Sequence, residues 1–174
     1  MAQFRITQKF SADSKIHSLA NPRVATSLLD DWVIDVLRIH RKKVAFVTNV
    51  GSLLTFLVPY AQVGGAKNIP DCISICLQQF LCDHDFAEYV QEMERVFAES
   101  PVFCKVDHRR MIGHMTDFKR SIAAHVFSVP FDEINWTGLS EIINNTLVNW
   151  KPEGYTRPIE LMKRLLVQTQ TIEG

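Results

Sequence analysis

From Asp31 to Pro59 the chain reads DWVIDVLRIHRKKVAFVTNVGSLLTFLVP, strand-favouring apolar runs broken by one basic cluster and one glycine. Trp32, Val33, Ile34, Val36 and Ile39 are β-branched or aromatic, types that suit a pleated, buried surface. The pattern predicts a strand over 32–39, a turn at His40 to Lys42, and a strand over 43–49. Gly51 breaks the chain before a third strand over 53–58, which Pro59 closes. Short turns between consecutive strands imply an antiparallel meander. Leu28, Leu29, Trp32, Val33, Val36 and Leu37 also fall at helical spacing, so a helix over 27–38 stands as the alternative.

Around this segment the periodicity changes twice. Residues 3–8 alternate, with Phe4 and Ile6 on one face and Arg5 and Thr7 on the other, which predicts a first strand. Residues 11–27 are polar, contain Asn21-Pro22, and read as a loop. After the flexible joint Gly64-Gly65, Ile69, Cys72, Ile73, Cys76, Leu77 and Phe80 mark one face of a helix that begins near Asn68 and Pro70. Asp85 and Glu88 have the spacing of a capping box for a second helix, with Phe86, Tyr89, Val90, Met93, Val96 and Phe97 inward. Pro101 ends it, and 102–106 read as a short strand. Further helices are expected over 114–126, from Thr137 to Trp150, and from Thr156-Pro158 onward through Leu161, Met162, Leu165 and Leu166. Trp136 and Trp150 bracket the second of these as buried anchors.

The expected fold is therefore α+β in a single domain over 1–174. It has an antiparallel sheet made of the N-terminal strand, the three-strand meander and one later strand, with about five helices packed on one face. A chain of 174 residues with 47 % apolar content can bury one sizeable core. Nineteen basic residues balance nineteen acidic ones, so no global field draws the protein to nucleic acid or a membrane, and recognition must be local. Low net charge also leaves self-association open.

Four cysteines and an N-terminus, MAQFRITQKF, without a signal-peptide pattern point to a reducing compartment, the bacterial cytoplasm. The apolar stretch Ser52 to Ala61 is about half of a membrane span, so no membrane association is expected.

Three groups of residues have chemical potential. The basic turn Arg38, His40, Arg41, Lys42 and Lys43, with a second group at Lys105, His108, Arg109 and Arg110, can neutralise phosphates if the fold unites them. The competing reading is a solvated turn that keeps a sheet edge soluble. On that reading, charge reversal at Arg41 and Lys42 leaves folding intact. Cys72, Cys76, Cys82 and His84 offer soft ligands, but their spacing is not that of a zinc site. Cys72 and Cys76 lie in an apolar helix stripe, so no zinc is expected there.

The segment DHRRMIGHMTDFKRSIAAH is the third group. Its apolar stripe is Met111, Met115, Phe118, Ile122 and Val126; His114, Asp117, Ser121 and His125 follow its edge, with His108 upstream. Such an edge can hold a metal or a small ligand, or supply a histidine–carboxylate pair for proton transfer. Thr116 is a candidate cap for this helix. Ser121 beside His125 lacks any nucleophile elbow or oxyanion hole. No P-loop, dinucleotide fingerprint, H-E-x-x-H or EF-hand motif is present, and no cofactor is predicted.

Several stretches resemble a family of uncharacterised bacterial proteins of about this length: QK at 8–9, DWVIDVLRIHRKKVAFVTN at 31–49, SLLTFLVP at 52–59, GHMTDFK at 113–119, and INNTLVNW with YTRPIELMKRLL between 143 and 166. Val33, Ile34 and Asp35 stand where relatives often carry an alanine-asparagine pair after the tryptophan. The resemblance implies a compact domain of unknown function and supports the hairpin around the basic turn. It carries over no catalytic residue. The leading expectation is a non-catalytic interaction or regulatory module with a protein partner or a second copy. A small enzyme or ligand-binding protein using the histidine edge is the alternative, and nucleic-acid binding is the third.

Overall fold

In the computed structural model, which describes residues 1–173, the chain opens with strand β1 (Gln3–Ile6) and helix α1 (Gln8–Ser14). The meander follows as β2 (Asp31–Ile39), β3 (Lys42–Asn49) and β4 (Thr55–Pro59), so the helical alternative for 27–38 is excluded. Ile39 pairs with Lys42, which leaves His40-Arg41 as a two-residue turn. Both adopt positive φ, 47° and 68°, as the tight turns that match strand twist require. Leu53 also turns at positive φ, 63°, and delays β4 to Thr55.

The sheet is mixed, not purely antiparallel. Its order is β4-β3-β2-β1-β5, where β5 is Val102–Lys105. β1 lies between β2 and β5 and runs parallel to both, Gln3 beside Asp31 and Val102. Parallel neighbours need a long crossover, and the polar stretch from Thr7 to Asp30 supplies it. Part of that stretch, expected to be loop, is α1: the Thr7 hydroxyl accepts from the Phe10 amide and ends β1 at Ile6, while Phe10 is fully buried.

Helices cover both faces of the sheet, not one. Trp32, Val33 and Ile34 are consecutive and wholly buried, and with period-two alternation that is possible only if each face has its own cover. On the first face, Phe4, Ile6, Trp32, Ile34 and Val47 pack with α1, α2 (Ile69–Asp83) and α3 (Val90–Phe97). On the second, Val33, Leu37, Phe46 and Leu57 pack with α4 (Arg109–His125), α5 (Trp136–Asn144) and the hairpin β6 (Val148–Trp150)–β7 (Gly154–Thr156). Helix α6 (Pro158–Glu173) serves both cores, Met162 and Leu166 in the first and Leu161 in the second.

Two expected helices change their bounds. Asp85 has φ 63° and cannot take the extended conformation of an N-cap, so a 3₁₀ turn at Ala87–Tyr89 precedes α3. The helix expected to reach Trp150 stops at Asn144, because Asn144 and Ser140 are committed to the sheet. Asn144 accepts from the Thr55 amide at 2.8 Å and donates to the Thr55 carbonyl at 2.9 Å, and Ser140 Oγ accepts from the Leu57 amide at 3.1 Å. These side chains complete the ladder of β4, an edge strand otherwise open to another chain. Among the described residues, no helix is long and apolar enough to cross a membrane.

Candidate functional site

Helix α4 is placed by its own cap. His108 Nδ1 accepts from the Met111 amide at 3.2 Å, so the helix starts at Arg109 and not near 114. Thr116 is no cap; its hydroxyl donates to the Ile112 carbonyl at 2.8 Å inside the helix. Met111, Met115, Phe118 and Ile122 form the buried stripe and fix which edge faces outward.

Strand β6 runs beside the first turns of α4, and Trp150 is the contact. The His108 ring lies 5.9 Å from the indole and nearly parallel to it, the His114 ring 5.1 Å away and edge-on. The Arg110 guanidinium sits 4.6 Å over the indole and donates to the carbonyls of Asn149 and Lys151 at 3.2 and 3.1 Å. A cation held over an indole in this way contributes about 0.5–2 kcal/mol. Trp150 thus anchors a hairpin against α4, and not the end of a helix.

His114, Asp117 and Ser121 face one cleft of about 270 Å³, whose other wall is Thr146 to Asn149. Burial pushes the His114 imidazole below its ordinary value; Arg110 adds to this and Asp117 opposes it. Asp117 is exposed and lies 3.5 Å from Arg120 on its own helix. His125 Nδ1 meets the carbonyl of Ser121 at 3.2 Å, not its hydroxyl. His114 and His125 are three helical turns apart, roughly 16 Å at 1.5 Å per residue. The sequence-predicted edge therefore divides: His108 and His114 pack on Trp150, His114 shares the cleft with Asp117 and Ser121, and His125 stands apart.

The basic residues do not form one surface. Arg109 and Arg110 open α4, whereas His40 Nε2 contacts the Val129 carbonyl at 2.9 Å, past the helix's other end. The helix separates the groups by roughly 25 Å. Lys42 bonds to Asp132 at 2.9 Å and lies 4.6 Å from the Phe131 ring, and Lys43 pairs with Asp13. The hairpin tip is docked on the 129–132 loop, while Arg38, Arg41 and Lys105 remain exposed. A wider cavity of about 530 Å³ lies between Ser27, Leu28, Gly51 and Leu165, with Asp31 on its wall.

Sequence reasoning missed a charged layer beneath α4. Arg5 Nε and Nη2 donate to both oxygens of Asp31, at 2.9 and 2.7 Å, and Arg5 also pairs with Asp107. Asp35 pairs with Lys119 of α4 and accepts from the Thr7 hydroxyl at 2.8 Å. The available signal was Asp31 and Asp35, four apart on a strand face whose other residues, Val33, Leu37 and Ile39, are apolar. These groups are already neutralised by one another, which makes them ties between layers. Among the described residues, no group of three or more His, Cys, Asp or Glu side chains is placed to hold a metal ion.

Comparison with curated proteins gave no match. A family model described as "Domain of unknown function (DUF6933)" matches residues 3–161, from β1 into the start of α6, and the chain belongs to that family.

Proposed function

We propose that this protein is a non-catalytic binding module whose contact surface is the outer face of the β6–β7 hairpin together with the neighbouring edge of α4. The observation that carries this reading is the hairpin's alternation. Val148 and Trp150 point into the core, so Leu147, Asn149 and Tyr155 share the outward face, with Leu147 59 % and Tyr155 75 % exposed. Exposed charges at Arg110 and Asp117 of α4 and at Lys151 and Glu153 of the hairpin turn accompany these two large apolar side chains, a mixed apolar and charged composition that suits a protein contact. The candidate acid–base groups beside it are engaged in packing: His114 on Trp150, His125 on a backbone carbonyl of its own helix. The partner is accordingly a protein and not a substrate.

A photo-crosslinking residue at Leu147, in the full chain inside producing cells, tests this. The expected result is a discrete protein adduct at Leu147 and none at Val24, a still more exposed position (88 %) outside the hairpin. No adduct at Leu147, or the same adduct at both positions, refutes the proposal.

A second reading rests on the 270 Å³ cleft itself, where His114, Asp117 and Ser121 do meet. A cleft of that size admits a ligand of few atoms. NMR titration of His114 separates the two readings: a midpoint that moves when Asp117 is replaced by asparagine supports a coupled polar site, and an unmoved midpoint removes it.

A further inference from the structure

Helix α2 holds Cys72 and Cys76 one turn apart, with their sulfurs 3.9 Å from each other. Both are half-buried and lean on the first core, and Ile69, Ile73, Leu77 and Phe80 anchor the helix beneath them. The pair is therefore preorganised by packing that neither thiol has to supply.

Helix geometry limits what the pair can do alone. Side chains at i and i+4 have Cβ atoms about 5–6 Å apart, whereas a disulfide needs about 3.5–4.5 Å. The thiols cannot join while α2 stays helical. A bridging ion removes that limit. Two thiolates each about 2.3 Å from one metal ion lie roughly 3.8 Å apart at a tetrahedral angle and about 4.6 Å when collinear. The observed 3.9 Å corresponds to a bent S–metal–S angle of roughly 116°, and side-chain rotation that widens the pair toward the collinear limit accommodates a two-coordinate ion. Zinc asks for four ligands, and among the described residues no third donor joins this pair. Thiolates select soft ions, and monovalent copper is satisfied by two of them.

We propose that Cys72 and Cys76 form a two-thiolate site for a soft monovalent ion, Cu(I). Binding breaks two S–H bonds, forms two Cu–S bonds and releases two protons to solvent, with no change in oxidation state. The site is independent of the hairpin surface, since α2 lies on the opposite face of the sheet.

The test is an anaerobic titration of the reduced full chain with Cu(I) held by a bicinchoninate competitor, read by native mass spectrometry. The expected result is one Cu(I) per chain in the wild type and in Cys82→Ser, whose thiol is exposed and outside the pair. Cys72→Ser and Cys76→Ser lose the ion, with far-UV circular dichroism reporting their fold. Phenylarsine oxide on the wild type keeps the test valid if a serine variant unfolds. Its oxygen leaves as water with the two thiol protons, two As–S bonds form, and Cys72 and Cys76 together become resistant to alkylation. Absence of copper under competition, copper retained by the Cys72→Ser/Cys76→Ser double variant, or alkylation of both thiols after the arsenical overturns the proposal.

Discussion

Replacing Lys119 by methionine removes the ammonium that faces Asp35 and keeps most of the stem that packs beside Phe46. The two side chains are 15 % and 12 % exposed, at the seam between β2 and α4. Burial alone pushes the Asp35 carboxyl up. The hydrogen bond and charge of Lys119, with the Thr7 hydroxyl and the Val36 amide, outweigh burial and hold it below its usual 3.8. Removing one partner of a buried pair costs about 3–5 kcal/mol because the other charge is left uncompensated. The bonds from Thr7 and Val36, each 2.8 Å, survive in the variant. The expected loss is therefore at the low end, about 3 kcal/mol. Urea unfolding followed by tryptophan fluorescence at pH 7 reads it as a lower midpoint at unchanged slope. The pH dependence has a defined sign. A carboxyl with a lowered folded-state value contributes stability above its unfolded value and loses it as pH falls through the folded one. The gap between wild type and variant is thus widest near neutrality and narrows below about pH 4. Asp35→Asn combined with Lys119→Met removes both charges and recovers part of the loss. A deficit under about 1 kcal/mol, the value of an exposed pair, or a gap that widens in acid, refutes the reasoning.

Other consequences are as direct. Asn144→Ala strips the Thr55 amide and carbonyl of their partners and lowers stability by about 2 kcal/mol, and it frees the β4 edge, so light scattering at raised concentration should show association. Gly113→Ala lies inside α4 at an exposed position where an added Cβ meets nothing within 4 Å; it should raise stability by about 0.8 kcal/mol, seen in the same unfolding assay. The His114 imidazole should titrate below 6.5 by NMR. Because the unfolded chain then takes that proton first, this residue makes stability fall as pH drops through the ordinary imidazole value.

The meander was legible because its signals are local. Gly51 and Pro59 end runs, and the β-branched and aromatic residues between Trp32 and Val58 favour strands, although the helical spacing of Leu28 to Leu37 leaves β2 open to a second reading. The buried stripe of α4 was equally plain, since Met111, Met115, Phe118 and Ile122 repeat at helical spacing. Helix α1 was not, because its seven residues contain Phe10 as their main apolar anchor, too few to show a period, and only Thr7 as a capping cue. The histidine edge was half legible. Spacing placed His114, Asp117 and Ser121 together on α4, but Trp150 and Asn149 reach them from β6, and no local pattern announces that contact.

Sequence alone thus determined the α+β class, the order of most elements and which residues are apolar enough to be buried. Those properties follow from side-chain type and period, which neighbours along the chain already specify. Tertiary structure decided that β1 inserts between β2 and β5 in parallel, that both faces of the sheet are covered, and that Trp150 gathers His108, Arg110 and His114. It also set two cysteines 3.9 Å apart on a helix pinned from below. Each of these depends on which distant segments meet, and that choice belongs to the competition among all buried surfaces at once rather than to any one stretch of chain.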